Sequence, residues 1–346
     1  MHYAIMGAGS VGAYIGARMA RAGMKVTFID QWPEHVNAMR GKGLRVECTD
    51  ETFQLRVNAL HLHEVQRLIT DPIDVALLCV KSYDTGWSAA LLKDYLAPKG
   101  FVASAQNSCN EEAIAKVLGW DAVLGCIVNT IGVELHGPGH VVRWAPPAPP
   151  GFPVFRIGEV HSRITARAKA LAEAMQCADN TTVTSNLWGE RWSKVTHNAM
   201  GSGLCAIFGI GLLAMYRDPV TCAISIRLVQ EAIDVGQRLG FELEDICGVA
   251  PQVWLDGRSD AQARQHIEQS LEKWTLRIRE DGQTSSLHDL RRGRRMETDH
   301  INGLVVQRAA EVGAAVPTHA KIVALTHRIE RGERLDQAAA LEYLKE

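Results

Sequence analysis

The stretch Met1 to Asp30, MHYAIMGAGSVGAYIGARMARAGMKVTFID, restricts the folds open to this chain more than any other. Tyr3 to Met6 is a short apolar run suited to a buried parallel strand, and it leads directly into Gly7, Gly9 and Gly12, spaced as G-x-G-x-x-G. After Gly12 the apolar residues Tyr14, Ile15, Met19, Ala20 and Ala22 fall close to helical spacing until Gly23, and Lys25 to Ile29 forms a second β-rich run. Strand, turn, helix and strand make a βαβ unit. One glycine permits the tight turn, one lets the backbone approach a pyrophosphate, and one allows helix to pack closely on strand. Gly7, Gly9, Ser10, Val11 and Gly12 are therefore a candidate dinucleotide-binding loop, with the positive end of a helix dipole towards the phosphates. Asp30, at the end of the second strand, can accept hydrogen bonds from a ribose diol and repel a 2′-phosphate, which favours NAD over NADP. It can equally cap a helix beginning near Pro33.

A chain of 346 residues, 47% apolar and 22% charged, has room for two globular domains with proper cores. Its net charge of −2 provides no basic field for nucleic acid or an anionic membrane. The local cluster Arg291, Arg292, Arg294 and Arg295 reads as a solvated loop or a phosphate contact. The eight cysteines lie without C-x-x-C or metal-ligand spacing, so no metal site is expected and a reducing cytoplasm fits. No signal-peptide pattern opens the chain. Val195 to Tyr216 carries no Asp, Glu, Lys or Arg, but His197, Asn198, Ser202 and four glycines favour the buried heart of a second domain, with a membrane span as the lesser alternative.

Past Asp30 the pattern predicts a helix over Glu34 to Arg40, strands at GKGLRVE and Phe53 to Asn58, and a buried strand from Asp74 to Lys81. A helix from Thr85 to about Leu96 and a strand from Phe101 to Ala105 follow. Lys81 and Asn107 thus sit at consecutive strand ends, on the carboxyl edge where open α/β sheets hold ligands. Ala122 to Val128 is a further strand. The hairpin GVELHGPGHVVRW and a strand at Val154 to Ile157 suggest an antiparallel extension of the parallel sheet, and Ile164 to Met175 a last helix. The first domain, a Rossmann-type α/β domain, spans residues 1–184. Residues 185–346 should form an all-helical domain, with helices over 187–208, 218–239, 259–280, 297–313 and 318–329.

In the first of those helices Trp188, Trp192, Val195 and Ala199 form an apolar stripe, beside a polar one of Lys194, Asn198 and Ser202. A lysine there is either a snorkelling surface residue or a buried functional one. Glu297 lies one turn before Ile301 on the apolar face of its own helix, where it is either satisfied by the helix dipole or in contact with a ligand.

With these residues in place, the chain resembles the ketopantoate reductase (2-dehydropantoate 2-reductase) family over nearly its full length. The matching segments are IMGAGSVGAYIGARMARAG, CVKSYDT, QNSCNEE, GPGHVVRW, ERWSKVTHN and SSLHDLRRGRRMETDHINGLVVQRAAEVGAAVPTH. The resemblance implies an oxidoreductase that binds a nicotinamide cofactor on the N-terminal domain and acts on a small 2-oxo or 2-hydroxy acid. It implies Lys194 as general acid and Glu297 as anchor of the substrate hydroxyl, helped by Asn107, Asn198 and Ser285, with Ser202 where the family has a further asparagine. Gln31 replaces the family arginine that reads a 2′-phosphate, again favouring NAD. Ser108 stands where many members have glycine, and residues near 250–275 are additional. An NAD preference also suits a catabolic hydroxy-acid or sugar-acid dehydrogenase. A non-catalytic NADH-binding sensor would have no need of a proton donor at Lys194. The expected partners are small molecules, not nucleic acid or membrane, and a homodimer is open to such a chain.

Overall fold

In a computed structural model of the chain, which describes residues 1–345 other than Thr130, Arg277 and Asp281, two units separate as Met1–Leu187 and Trp188–Glu346. The first opens with β1 (His2–Met6), α1 (Ser10–Arg21), β2 (Lys25–Asp30), α2 (Pro33–Gly41), β3 (Leu44–Glu47), β4 (Thr52–Leu55) and β5 (Asn58–His61). A 3-10 helix at Leu62–Thr70 leads to β6 (Ile73–Leu78), α3 (Thr85–Lys93), β7 (Leu96–Ser104), α4 (Glu111–Leu118) and β8 (Val123–Val128). The unit ends with β9 (Val133–Gly137), β10 (His140–Arg143), β11 (Phe155–Glu159), α5 (Ala166–Met175) and β12 (Thr181–Thr184).

Eight strands form one sheet in the order β12-β11-β8-β7-β6-β1-β2-β5, parallel except between β8 and β11. Its central strands are apolar without alternation because both faces are covered. Tyr3 and Ile5 of β1 pack with Phe28, Val75 and Leu77 on one side, and Ala4 and Met6 pack with Ile29, Ala76 and Leu78 on the other. Each of the larger ones, such as Ile5, Met6, Phe28 and Leu77, contributes about 1.5–3 kcal/mol when taken fully out of water. The helix α1 lies so close to the sheet that a Cβ on Gly16 would meet the Phe28 ring at 2.5 Å.

The second unit is helical: α6 (Leu187–Ala199), which starts at the boundary, α7 (Ser202–Phe208), α8 (Leu212–Arg217), α9 (Pro219–Arg238), α10 (Pro251–Asp256), α11 (Ala261–Thr275), α12 (Ser285–Arg291), α13 (Asn302–Val312), α14 (Pro317–Glu330) and α15 (Gln337–Lys345). The longest, α9, starts sharply because Asp218 accepts the amides of Val220 and Thr221 and Pro219 occupies the first turn. Against it α6 is keyed by Trp192, which is buried, donates to the Ala232 carbonyl at 2.8 Å and lies where a Cβ on Gly236 would stand 2.4 Å from the indole.

Several local expectations need correction. The hairpin β9–β10 does not continue the main sheet: β10 runs parallel to β3 in a separate four-stranded sheet ordered β4-β3-β10-β9, and the antiparallel extension is β11 alone against β8. The stretch 53–58 is not one strand, because the chain leaves β4 in that second sheet and re-enters the main one as β5 beside β2. The helix expected to reach Leu96 ends at Lys93, since the Tyr95 carbonyl is taken by the Ile73 amide and Leu96 pairs with Ile73. The single helix expected over 187–208 breaks at Met200–Gly201. There the Ala199 carbonyl receives Asn302 Nδ2 at 3.0 Å, and Gly203 lets α7 approach Ile322, which a Cβ would meet at 2.2 Å. The helix expected from Glu297 begins only at Asn302, after a 3-10 turn at Thr298–His300.

Candidate functional site

The chemistry-bearing residues of the first unit gather at the carboxyl ends of adjacent strands. The chain leaves β1 through Gly7, whose φ of +91° requires glycine, and turns so tightly that a Cβ on Gly12 would lie 2.1 Å from the Gly7 carbonyl oxygen. Gly9 is different: its φ is −63° and a Cβ there would meet nothing within 4 Å. The fold does not need a glycine at that position, so its absent side chain leaves room for something approaching from outside. Gly7, Ala8 and Gly12 are buried, while Gly9, Ser10 and Val11 are partly open. No acceptor among the described residues meets the amides of Gly9, Ser10 or Val11, and the first turn of α1 carries no acidic side chain. An opening of this form, with outward amides and the positive helix end, suits the pyrophosphate of a dinucleotide.

Asp30 ends β2 with both carboxylate oxygens engaged: Oδ2 accepts the Ala8 amide at 2.6 Å and Oδ1 the Trp32 amide at 2.8 Å. It is not the cap of α2, whose cap position is Trp32, without a side-chain hydrogen bond. Each oxygen keeps a further lone pair for a hydroxyl donor. Gln31 beside it is exposed. Two and three strands along in the sheet, Lys81 and Asn107 follow β6 and β7, held as one ledge: the Asn107 carbonyl accepts Ser82 Oγ at 3.2 Å and Asn110 Nδ2 at 2.6 Å, and Gln106 Nε2 donates to the Val80 carbonyl at 3.0 Å. The neighbouring Ser108 has φ +71°, a conformation that favours glycine.

In the helical unit Lys194 and Asn198 lie one turn apart on α6. Ser202 does not extend their stripe, because the break at Gly201 puts it at the start of α7, where it is buried. Ser285 is the exposed first residue of α12, which packs on α7. Glu297 is buried, 3% exposed, in the turn before α13; burial lowers the pKa of the neighbouring His300 ring, and the Glu297 charge only partly opposes that shift. The Lys194 ammonium has no carboxylate pairing with it among the described residues, and burial pushes its pKa down to about 8.

Spacing alone left Lys194 open between surface and interior. Its surroundings include residues whose part the sequence did not disclose. His197, one turn further along α6, is pushed down to about 3 by burial and by the lysine charge, so it stays neutral beside it. Cys247 Sγ lies 3.6 Å from His197 Nδ1, and Trp274 meets the same imidazole edge-on, with ring centroids 5.6 Å apart. The only signal available beforehand was the i, i+3 spacing of Lys194 and His197. Among the described residues no helix is long and apolar enough to cross a membrane, the Val195 to Tyr216 stretch included.

Comparison with known proteins adds the following. The family model described as ketopantoate reductase PanE/ApbA matches residues 3–148, and that for the ketopantoate reductase PanE/ApbA C terminal matches residues 186–330. The 2-dehydropantoate 2-reductase of Archaeoglobus fulgidus is 28% identical over 330 residues, covering 95% of this chain and 97% of its own. The crystal structure of a PanE/ApbA family ketopantoate reductase from Ralstonia eutropha JMP134 is similar with a TM-score of 0.77 at 30% identity, covering 96% of this chain and 99% of that one. A D-mandelate dehydrogenase solved with NADH and anilino(oxo)acetate has a TM-score of 0.78 at 20% identity over 96% of this chain and 99% of its own, a likeness of fold alone.

Proposed function

This chain belongs to the ketopantoate reductase family of oxidoreductases, and on that premise we propose that it reduces a 2-oxo acid of the 2-dehydropantoate kind to the 2-hydroxy acid with NADH, Lys194 serving as general acid and Glu297 as substrate anchor. The first unit is the dinucleotide-binding domain. Gly7 and Gly12 shape its loop, the amides of Gly9, Ser10 and Val11 take the pyrophosphate, and Lys81 and Asn107 border the cofactor at the neighbouring strand ends. When bound, the nicotinamide supplies the hydride to the carbonyl carbon.

The observation that carries this reading is the half-buried, desolvated and carboxylate-free ammonium of Lys194. Negative charge grows on the carbonyl oxygen during reduction, and a cation within hydrogen-bond reach stabilises it and delivers the proton. A carboxylate paired with the lysine would hold the proton back. Desolvation does the opposite, bringing the pKa to about 8 and so nearer to working pH. Asn198 and Ser285, in the same helical unit as Lys194, supply neutral donors and acceptors for the acid's polar groups. Since the lysine must carry its proton for reduction, kcat in that direction should fall as pH rises through about 8, and the reverse oxidation should gain over the same interval. Rates measured in both directions across that range test this, and a reduction rate still rising above it would sink the assignment.

Asp30 and Gln31 support NADH over NADPH: a carboxylate already fixed by two amides ends β2, where its charge would repel a 2′-phosphate, and no arginine stands next to it in the sequence. NADH should bind about tenfold or more tightly than NADPH. Equal or tighter NADPH binding in parallel fluorescence titrations would remove the NAD assignment. The same two residues favour a second reading, in which the protein runs as a hydroxy-acid or sugar-acid dehydrogenase, and substrate panels in both directions separate the two.

A further inference from the structure

The peptide of Ala8, between the first two glycines of the loop, is held at both ends by side chains. Its amide donates to Asp30 Oδ2 at 2.6 Å, and its carbonyl oxygen lies 2.8 Å from His35 Nε2. The other ring nitrogen of His35, Nδ1, is 2.9 Å from the amide nitrogen of Gly139. A backbone amide only donates, so Nδ1 accepts. A neutral imidazole that accepts at Nδ1 carries its proton on Nε2, where it points at the Ala8 carbonyl. The ring is 0% exposed and stacked on Trp32 with centroids 5.6 Å apart, and burial lowers its pKa against the opposing pull of Asp30. A second proton at Nδ1 would face the Gly139 N–H donor to donor.

Gly139 is the turn residue between β9 and β10, at φ +71°, and it approaches α2 so closely that a Cβ there would stand 3.0 Å from the Ala38 Cβ. One imidazole on α2 therefore joins the turn of the second sheet to the glycine-rich loop. That loop needs joining. Its glycines give the unfolded and the loosened loop many backbone states, and binding an anion to it would cost the entropy of choosing one of them. With Ala8 fixed at both N–H and C=O, the outward amides of Gly9, Ser10 and Val11 are already set.

We infer that His35 is a positioning residue for dinucleotide binding, holding the Ala8 carbonyl so that the phosphate-binding loop keeps its shape and resting it on Gly139 of the second sheet; this rests on the dinucleotide reading of that loop. The geometry specifies its own control. A glutamine amide presents acceptor, carbon and donor in the same sequence as the Nδ1–Cε1–Nε2 edge of the ring, whereas methionine fills the space and offers neither. His35→Met should raise the Kd and KM for NADH about tenfold or more, while kcat at saturating NADH and the KM for the 2-oxo acid stay within about twofold. His35→Gln should recover most of the lost affinity. A folded His35→Met protein that binds NADH as the unchanged protein does, or a His35→Gln protein as weak as His35→Met, overturns the inference. If His35→Met does not fold, nitrogen NMR of the His35 ring in the unchanged protein decides. A neutral, Nε2-protonated ring that shifts on adding NADH supports the role, and a ring indifferent to NADH overturns it. Failure of the unchanged protein to bind either NADH or NADPH would instead overturn the dinucleotide reading itself, a result that the variants cannot imitate.

Discussion

Replacing Lys194 by alanine is expected to lower kcat about a hundred- to ten-thousandfold, the range typical for loss of a positioned general acid, while NADH affinity stays the same. The separation follows from where the residue sits. Lys194 lies on α6, in the helical unit, and α6 is keyed to α9 by Trp192 and pinned at its end by Asn302, so removing the lysine side chain leaves the helix in place. The variant should also be no less stable. A half-buried, desolvated ammonium without a carboxylate partner costs free energy in the folded state, and its lowered pKa says the same thing: the fold disfavours the charged form. Worked through for sign, the unfolded chain binds more protons than the folded one between about 8, the folded value, and roughly 10.4, the free-lysine value. The wild-type protein should therefore gain stability as pH rises through that window, and Lys194→Met should lose this dependence and melt higher near neutral pH. Lower kcat together with a higher Tm marks a residue kept for chemistry at the expense of stability. A Lys194→Ala enzyme with near wild-type kcat would remove the lysine from the reaction.

Gly9→Val should weaken NADH binding about a hundredfold, as expected when several amide contacts to a charged phosphate are displaced, and should do so without unfolding the protein. The ground for this is the contrast between two glycines three residues apart. At Gly12 any side chain strikes the Gly7 carbonyl oxygen, whereas at Gly9 the backbone is ordinary and the added atoms meet only open space. Thermal melts therefore serve as the control: Gly9→Val should melt near the wild-type temperature and Gly12→Ala well below it, from overpacking that costs about 1–3 kcal/mol. If Gly9→Val bound NADH normally, the space at Gly9 would have no connection with the cofactor.

These expectations draw unequally on the sequence. The turn from β1 into α1 was legible because its determinants are local: three glycines, a short apolar strand and helical spacing within thirty residues. The second sheet was not, because its defining contact sets β3 beside β10, partners nearly a hundred residues apart whose parallel pairing leaves no local trace. The break between α6 and α7 was hidden for a similar reason. Gly201 and Gly203 could sit inside a helix, and what ends α6 is a side chain from Asn302. The candidate site divides the same way. Helical spacing brought Lys194, Asn198 and Glu297 forward and resemblance to a family added Ser285 and the roles, but how far Lys194 is withdrawn from water could be answered only by its packing. His35 drew no notice at all, since its meaning depends on Gly139, which reaches it from another sheet.

The most direct test of the central proposal is steady-state consumption of NADH, followed by its absorbance, with 2-dehydropantoate and a panel of other 2-oxo acids offered to the wild-type and Lys194→Ala proteins. Turnover of at least one 2-oxo acid by the wild-type protein, largely lost in the variant, is the expected result. A wild-type protein that binds NADH yet consumes none with any 2-oxo acid would contradict it.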